Sequence, residues 1–135
     1  MSLDREINVL KLENTKFKEF NELLLMWLQD YQDGRRLVEY FHKNGLKTVA
    51  SYGFGDLGAA LASELENTDI DVKYMIDQAA NFVYTELKVY RPEDSLPEVD
   101  VIVVTAIHYF TEIKSEMEKR VRCPIVSLET VISGV

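Results

Sequence analysis

Gly53-Phe54-Gly55-Asp56-Leu57-Gly58 sets three glycines at the spacing G-x-G-x-x-G. The chemistry this hexapeptide permits is capture of an anion by main chain. A first glycine turns the chain tightly, a second lets backbone approach a pyrophosphate, and a third lets a helix lie close on a strand, its N-terminal amides facing the charge. The motif has meaning only between a strand and a helix. Here Thr48-Val49-Ala50-Ser51-Tyr52 precedes it as a strand, and Leu57, Ala60, Leu61 and Leu65 follow at helical spacing. A second strand from Asp71 ends at Asp77, about 20 residues beyond the glycines, where an acid accepts from the ribose hydroxyls of an adenosine. The bland reading of Asp77 is a turn-forming aspartate. As a ribose ligand it repels a 2′-phosphate, and Gln78-Ala79-Ala80 brings no arginine to receive one, so the residues favour NAD(H) over NADP(H).

Other residue types that could do chemistry are in poor settings. Tyr84 and Lys88 have the Tyr-x-x-x-Lys spacing in which a lysine lowers a tyrosine pKa for proton transfer, but they lie just before a strand rather than on a shared helix face. His108 is near the expected ligand and is of a type that can serve as a general base, but the spacing marks no group to orient it, and it is assigned as a contact only. Cys123 before Pro124 reads as a small apolar residue entering a strand, because no neighbouring cation activates it. Asp56 favours the helix dipole but competes with a bound phosphate for the same positive end. No residue is assigned a catalytic role.

Three further strands must complete the unit that positions these groups. Lys88-Val89-Tyr90 is short, since Arg91-Pro92 follows at once and proline does not continue an interior strand. The segment Gln78 to Leu87 is barely long enough for a parallel crossover, so the second helix is expected to be vestigial. Val101-Ile102-Val103-Val104 is the continuous β-branched run of a strand buried on both faces. Phe110, Ile113, Met117 and Val121 mark a helix, and Ile125-Val126-Ser127-Leu128 a fifth strand. The expected order is 3-2-1-4-5. The chain reverses between strands 1 and 4, where open α/β sheets bind ligands, which adds Thr105, Ala106, Ile107 and His108 to the cofactor-binding set of Gly53 to Gly58 and Asp77.

Residues 1–44 precede this unit as a helical extension, one helix from Asp4 to about Asp33 and another from Arg35 to Lys43, broken at Gly34 and stopped at Asn44-Gly45. Phe17, Phe20, Leu24, Trp27, Leu28 and Tyr31 form an apolar face that Leu23, Leu25 and Met26 widen. That face either packs on the sheet or makes a homodimer anchored by Trp27 and Leu28.

At 135 residues and 47% hydrophobic content the chain suits one core. A single cysteine and two histidines exclude an internal disulfide and offer no metal-ligand cluster. No run approaches the roughly 18 apolar residues of a membrane span, and the first residues lack the pattern of a secretory signal, so a cytoplasmic location is expected. A net charge of −8 without a basic stripe disfavours nucleic acid.

The glycine loop, Asp77 and the stretch Leu87 to Val104, including Tyr90-Arg91-Pro92-Glu93-Asp94 and Leu96-Pro97-Glu98-Val99-Asp100, resemble the Rossmann domains termed CoA-binding-like. Among these the likeness is to N-terminal nucleotide-binding domains of the nucleoside-diphosphate-sugar epimerase/dehydratase type from bacterial polysaccharide biosynthesis. It covers about residues 45–130. The resemblance implies an α/β, three-layer Rossmann-like sandwich with a mainly parallel five-stranded sheet over 45–135, and NAD(H), CoA or a nucleotide sugar as ligand. Nothing here corresponds to the catalytic domain that accompanies such domains in longer proteins. Three readings stay open: an accessory nucleotide-binding domain, a nucleotide-sugar oxidoreductase or epimerase component whose catalytic residues lie elsewhere, and an interaction module with a degenerate site. S-adenosylmethionine ranks below these, because Ser51-Tyr52 lacks the acid that precedes the loop in such sites.

Overall fold

A computed structural model describes residues 3–82 and 85–135. Tyr84, and with it the Tyr84/Lys88 pair, lies outside the described residues. The chain divides into two compact units, residues 1–35 and 36–135.

The first unit is helix α1, Leu3–Gln32, with Asp4 and Glu6 in its first turn where the dipole favours carboxylates. It stops at Gly34, whose positive φ ends the helical path, as Arg35 N donates to Asp30 O at 2.8 Å. The Arg35 guanidinium lies 3.5 Å from Asp30. Of the apolar face expected from the sequence, Phe17, Leu24, Leu25, Met26, Leu28 and Tyr31 are exposed, whereas Leu23 and Trp27, the second of them an expected dimer anchor, are buried.

The second unit opens with α2, Val38–Lys43, shorter than the expected Arg35 start because Arg36 and Leu37 form a turn instead. It closes as the Asn44-Gly45 signal predicts. Leu46 N reaches back to Phe41 O at 2.9 Å and Gly45 N to His42 O, satisfying carbonyls that the helix end would otherwise leave unpaired.

The sheet is all parallel, with β1 Thr48–Tyr52, β2 Asp71–Ile76, β3 Lys88–Tyr90, β4 Val101–Val104 and β5 Ile125–Ser127 in the order β3-β2-β1-β4-β5. This is the α/β architecture and strand order read from the sequence. β4 is buried at every residue, as its β-branched run implies, because helices cover both sheet faces in a parallel fold. The period of two then sorts side chains by face. Ala50, Tyr52, Tyr74, Ile76, Ile102 and Val104 share one core with Met117 of α4, Phe110–Met117. The opposite face takes α3, Gly55–Leu65, through Leu57, Leu61 and Leu65, buried at four-residue steps.

Two connections matter for the site. Between β2 and β3 the described residues hold only a 3-10 turn, Ala80–Phe82, the vestige expected of the second helix. Between β3 and β4, residues 91–100 form no helix, and Leu96 and Val99 pack on the α4-side core in place of one. That segment is tied down by Tyr74, whose hydroxyl donates to Pro97 O at 2.6 Å. One element went unforeseen: Leu128 begins α5, Leu128–Ser133, rather than ending β5, because Ser127 Oγ caps the helix by accepting from Thr130 N.

Tyr74 is 2% exposed, and burial, with smaller contributions from Cys123 and Tyr90, pushes its phenol up to about 12. The folded protein therefore holds this proton where the unfolded chain releases it. The stabilisation is whole below pH 10 and is lost as pH rises toward 12, by as much as roughly 2.7 kcal/mol. Burial also raises Tyr40 and Tyr52, which adds to the slope. Denaturant unfolding at pH 8 to 11.5 should show stability falling through the upper part of this range, less steeply in Tyr74→Phe. Equal slopes in parent and variant would assign the alkaline loss to other groups.

Candidate nucleotide site

The glycine loop begins where β1 leaves the sheet. Gly53 N donates to Ile76 O at 2.7 Å, continuing the β1–β2 ladder by one residue, and its φ of +95° turns the chain out. A side chain here would be strained, and a Cβ would also stand 2.7 Å from Thr105 Oγ1. The Gly53 carbonyl is fixed from two sides, by Ser51 Oγ and Thr105 Oγ1, each at 2.9 Å. Phe54 sits at the cap position without a side-chain cap, so the first amides of α3 have no acceptor inside the helix. Gly58 is buried, and a Cβ on it would run into the Gly53 carbonyl, which is why the third glycine of the motif is needed.

Asp77 lies one residue beyond β2 and faces this loop. Its Oδ2 accepts from Phe54 N at 3.2 Å and its Oδ1 from Ala79 N at 2.8 Å. The second contact is the turn-forming role weighed above, and the first ties the carboxylate to the glycine loop. Each oxygen carries further lone pairs, so the contacts leave acceptor capacity. Asp56 is exposed at the first turn of α3.

A cleft of about 810 Å³ opens at the carboxyl ends of β1, β2 and β4, on the α4 side of the sheet. Of the residues expected from the sequence it is lined by Gly53, Asp77 and Ala106. Thr105 is buried beneath Gly53, and Phe54, Gly55, Asp56, Leu57 and Gly58 form the strand-to-helix turn beside the cleft. Ile107 and His108 belong to the 3-10 turn Ile107–Tyr109 and are not in the lining. Sequence reasoning missed most of the wall. Tyr52 and Gln78 flank the residues it did find, while Pro92 and Glu93 come from the helix-free connection. Glu112, Glu116 and Arg120 come from α4 and the turn after it, at four-residue steps that place them on one face.

The cleft is acidic, with Asp77, Glu93, Glu112 and Glu116 opposed by Arg120. Burial pushes the Tyr52 phenol up, and although a side-chain hydrogen bond with Gln78 opposes this, the phenol stays above its ordinary range. Burial likewise pushes up the Cys123 thiol, so it is no ready nucleophile. Among the described residues no group of His, Cys, Asp and Glu could hold a metal ion, and no helix is long and apolar enough to cross a membrane. Comparison of the chain with protein-family models, curated proteins and solved structures found no match.

Proposed function

We propose that the chain is an accessory, non-catalytic Rossmann-like domain that binds NAD(H) or a related adenosine nucleotide at the carboxyl edge of its sheet. The observation that carries this reading is the placement of Asp77 against the glycine loop, with both groups opening on one cleft. The adenosine occupies the cleft with its ribose on Asp77, and the pyrophosphate lies at the α3 amides. The four carboxylates support this division, because they favour an uncharged moiety inside and leave the phosphates outside at the dipole. The acidic lining also disfavours a 2′-phosphate. A binding rather than catalytic role follows the reading of the sequence, in which no residue is assigned to catalysis. The resemblance in sequence ties the ligand to nucleotide-sugar or polysaccharide metabolism, with self-association through α1. It also keeps an epimerase or oxidoreductase component, completed by another domain or subunit, as the alternative.

Calorimetry and thermal melts with NAD⁺, NADH, NADP⁺, CoA, nucleotide sugars and S-adenosylmethionine test the proposal. A bound ligand at 100 times its dissociation constant stabilises the fold by about 2.7 kcal/mol. NAD(H) is expected to bind more tightly than NADP(H), and Asp77→Asn to narrow that preference by on the order of tenfold, since it removes the charge facing the 2′ position. Equal or tighter binding of NADP(H) by the parent would remove Asp77 from the ribose. No shift with any of these ligands would leave the interaction module.

A further inference from the structure

The exposed residues of α1 carry a second pattern, finer than a broad apolar face. Ile7, Asn14, Asn21 and Leu28 recur every seven residues, and Leu3, Leu10, Phe17, Leu24 and Tyr31 do so in the offset register. The steps alternate strictly between four and three along the whole helix, the 3.5-residue period of a coiled-coil seam rather than the 3.6 of a helix lying on a sheet. The apolar members are exposed throughout, Leu3 at 70%, Leu10 at 59%, Phe17 at 68% and Leu28 at 53%. Trp27 is 8% exposed and stands outside the seam.

We infer that α1 pairs with α1 of a second copy of this chain as a parallel, in-register, two-stranded coiled coil. With the Ile7 series at heptad position a and the Leu3 series at d, the flanking g positions hold Glu6, Glu13, Phe20 and Trp27 and the e positions Asp4, Lys11, Lys18, Leu25 and Gln32, so the charged flanks lie in the N-terminal half of the helix. In a parallel pair each g residue meets the e residue five places on in the other helix. Glu6 therefore meets Lys11 of the second copy, and Glu13 meets Lys18, so both contacts are between opposite charges. All four side chains are exposed, and Lys18 also lies 3.9 Å from Glu22 of its own helix. The asparagines point the same way. A polar residue at an a position costs stability unless it meets its own kind, and Asn14 and Asn21 each do so when the helices run parallel and in register, which sets both orientation and a two-stranded state. The inference makes specific the self-association proposed above and is independent of the nucleotide.

A charge exchange on the full chain tests it. Sedimentation should find the parent dimeric at about 100 μM, since self-association is driven by protomer concentration. Glu6→Lys/Glu13→Lys should weaken the dimer, since four attractive contacts per pair of helices become repulsive, by roughly 100-fold. Lys11→Glu/Lys18→Glu should do the same. Mixing the two variants should restore a one-to-one heterodimer. In a Cys123→Ser background, Leu10→Cys should oxidise to a disulfide-linked dimer, while Leu12→Cys, on the outer face, should not. A monomeric parent would overturn both the coiled coil and the self-association. A dimer indifferent to both charge variants, or one in which Leu10→Cys fails to cross-link, would overturn the coiled coil alone. Nucleotide-induced melting shifts of the variants should match the parent's in either case.

Discussion

Gly58→Ala is expected to destabilise the 36–135 unit by about 3 kcal/mol, although replacing a helical glycine with alanine ordinarily stabilises by up to about 1 kcal/mol. The sign is decided by where the new methyl would go. It would overlap the Gly53 carbonyl oxygen, lie 3.2 Å from the Gly53 carbonyl carbon and 3.6 Å from Ser51 Oγ. The carbonyl has no easy retreat, because Ser51 and Thr105 hold it by hydrogen bonds and Gly53 N is anchored on Ile76. Relief must come from sliding α3 off the sheet, which uncovers Leu57, Leu61 and Leu65. A loss of about 3 kcal/mol corresponds to a fall in Tm of roughly 10 °C or more for a unit of this size. Thermal and denaturant unfolding of the variant check it, and a melting temperature equal to or above the parent's would mean that loop and helix are not in this close contact in solution.

Gly55→Ala should have the opposite profile, a modest loss of stability and a complete loss of nucleotide binding. Gly55 has φ +25°, so an alanine is strained by about 1–2 kcal/mol. Its Cβ would meet nothing within 4 Å and thus clashes with no part of the protein. In the proposed binding mode the pyrophosphate must approach main chain at this glycine, and the added methyl would stand in its way. Parallel melts and calorimetry of the variant and parent separate the effects. Unchanged affinity would show that the nucleotide does not use this loop, and a parent that binds nothing would leave the glycines with the strand-to-helix turn as their sole role.

The frame of the fold was legible because its strongest signals are local and redundant. β4 is a pure β-branched run, Gly53 is required by its own positive φ and Gly58 by a contact five residues back, and Asn44-Gly45 ends a helix by its own backbone geometry. The weak third strand followed from Pro92, and the vestigial helix after β2, a 3-10 turn among the described residues, from the length of chain between β2 and β3. α5 escaped notice since six residues contain too few turns to display a period, although Ser127 and Thr130 mark its start and Leu128, Val131 and Ile132 its buried side. The site was legible only in its outline. Which way the Asp77 carboxylate turns depends on the amides of Phe54 and Ala79, and Glu93 is brought to the side of Glu112, Glu116 and Arg120 by tertiary packing, which the four-residue spacing of those three does not record.

The strand order has a consequence for the chain as it is synthesised. β1 pairs with β2, 23 residues later by register, but its other neighbour, β4, begins 52 residues after Val49. A nascent chain that has emerged through Ile76 can form the first pair, yet one whole edge of β1, apolar and lined with unpaired amides and carbonyls, stays open until Val101–Val104 arrives. The strand that becomes the centre of the finished sheet is thus an edge for the longest interval of its making, and the interval closes at Asp100, whose carboxylate takes the amides of Lys47 and Thr48 and draws the two strands into register.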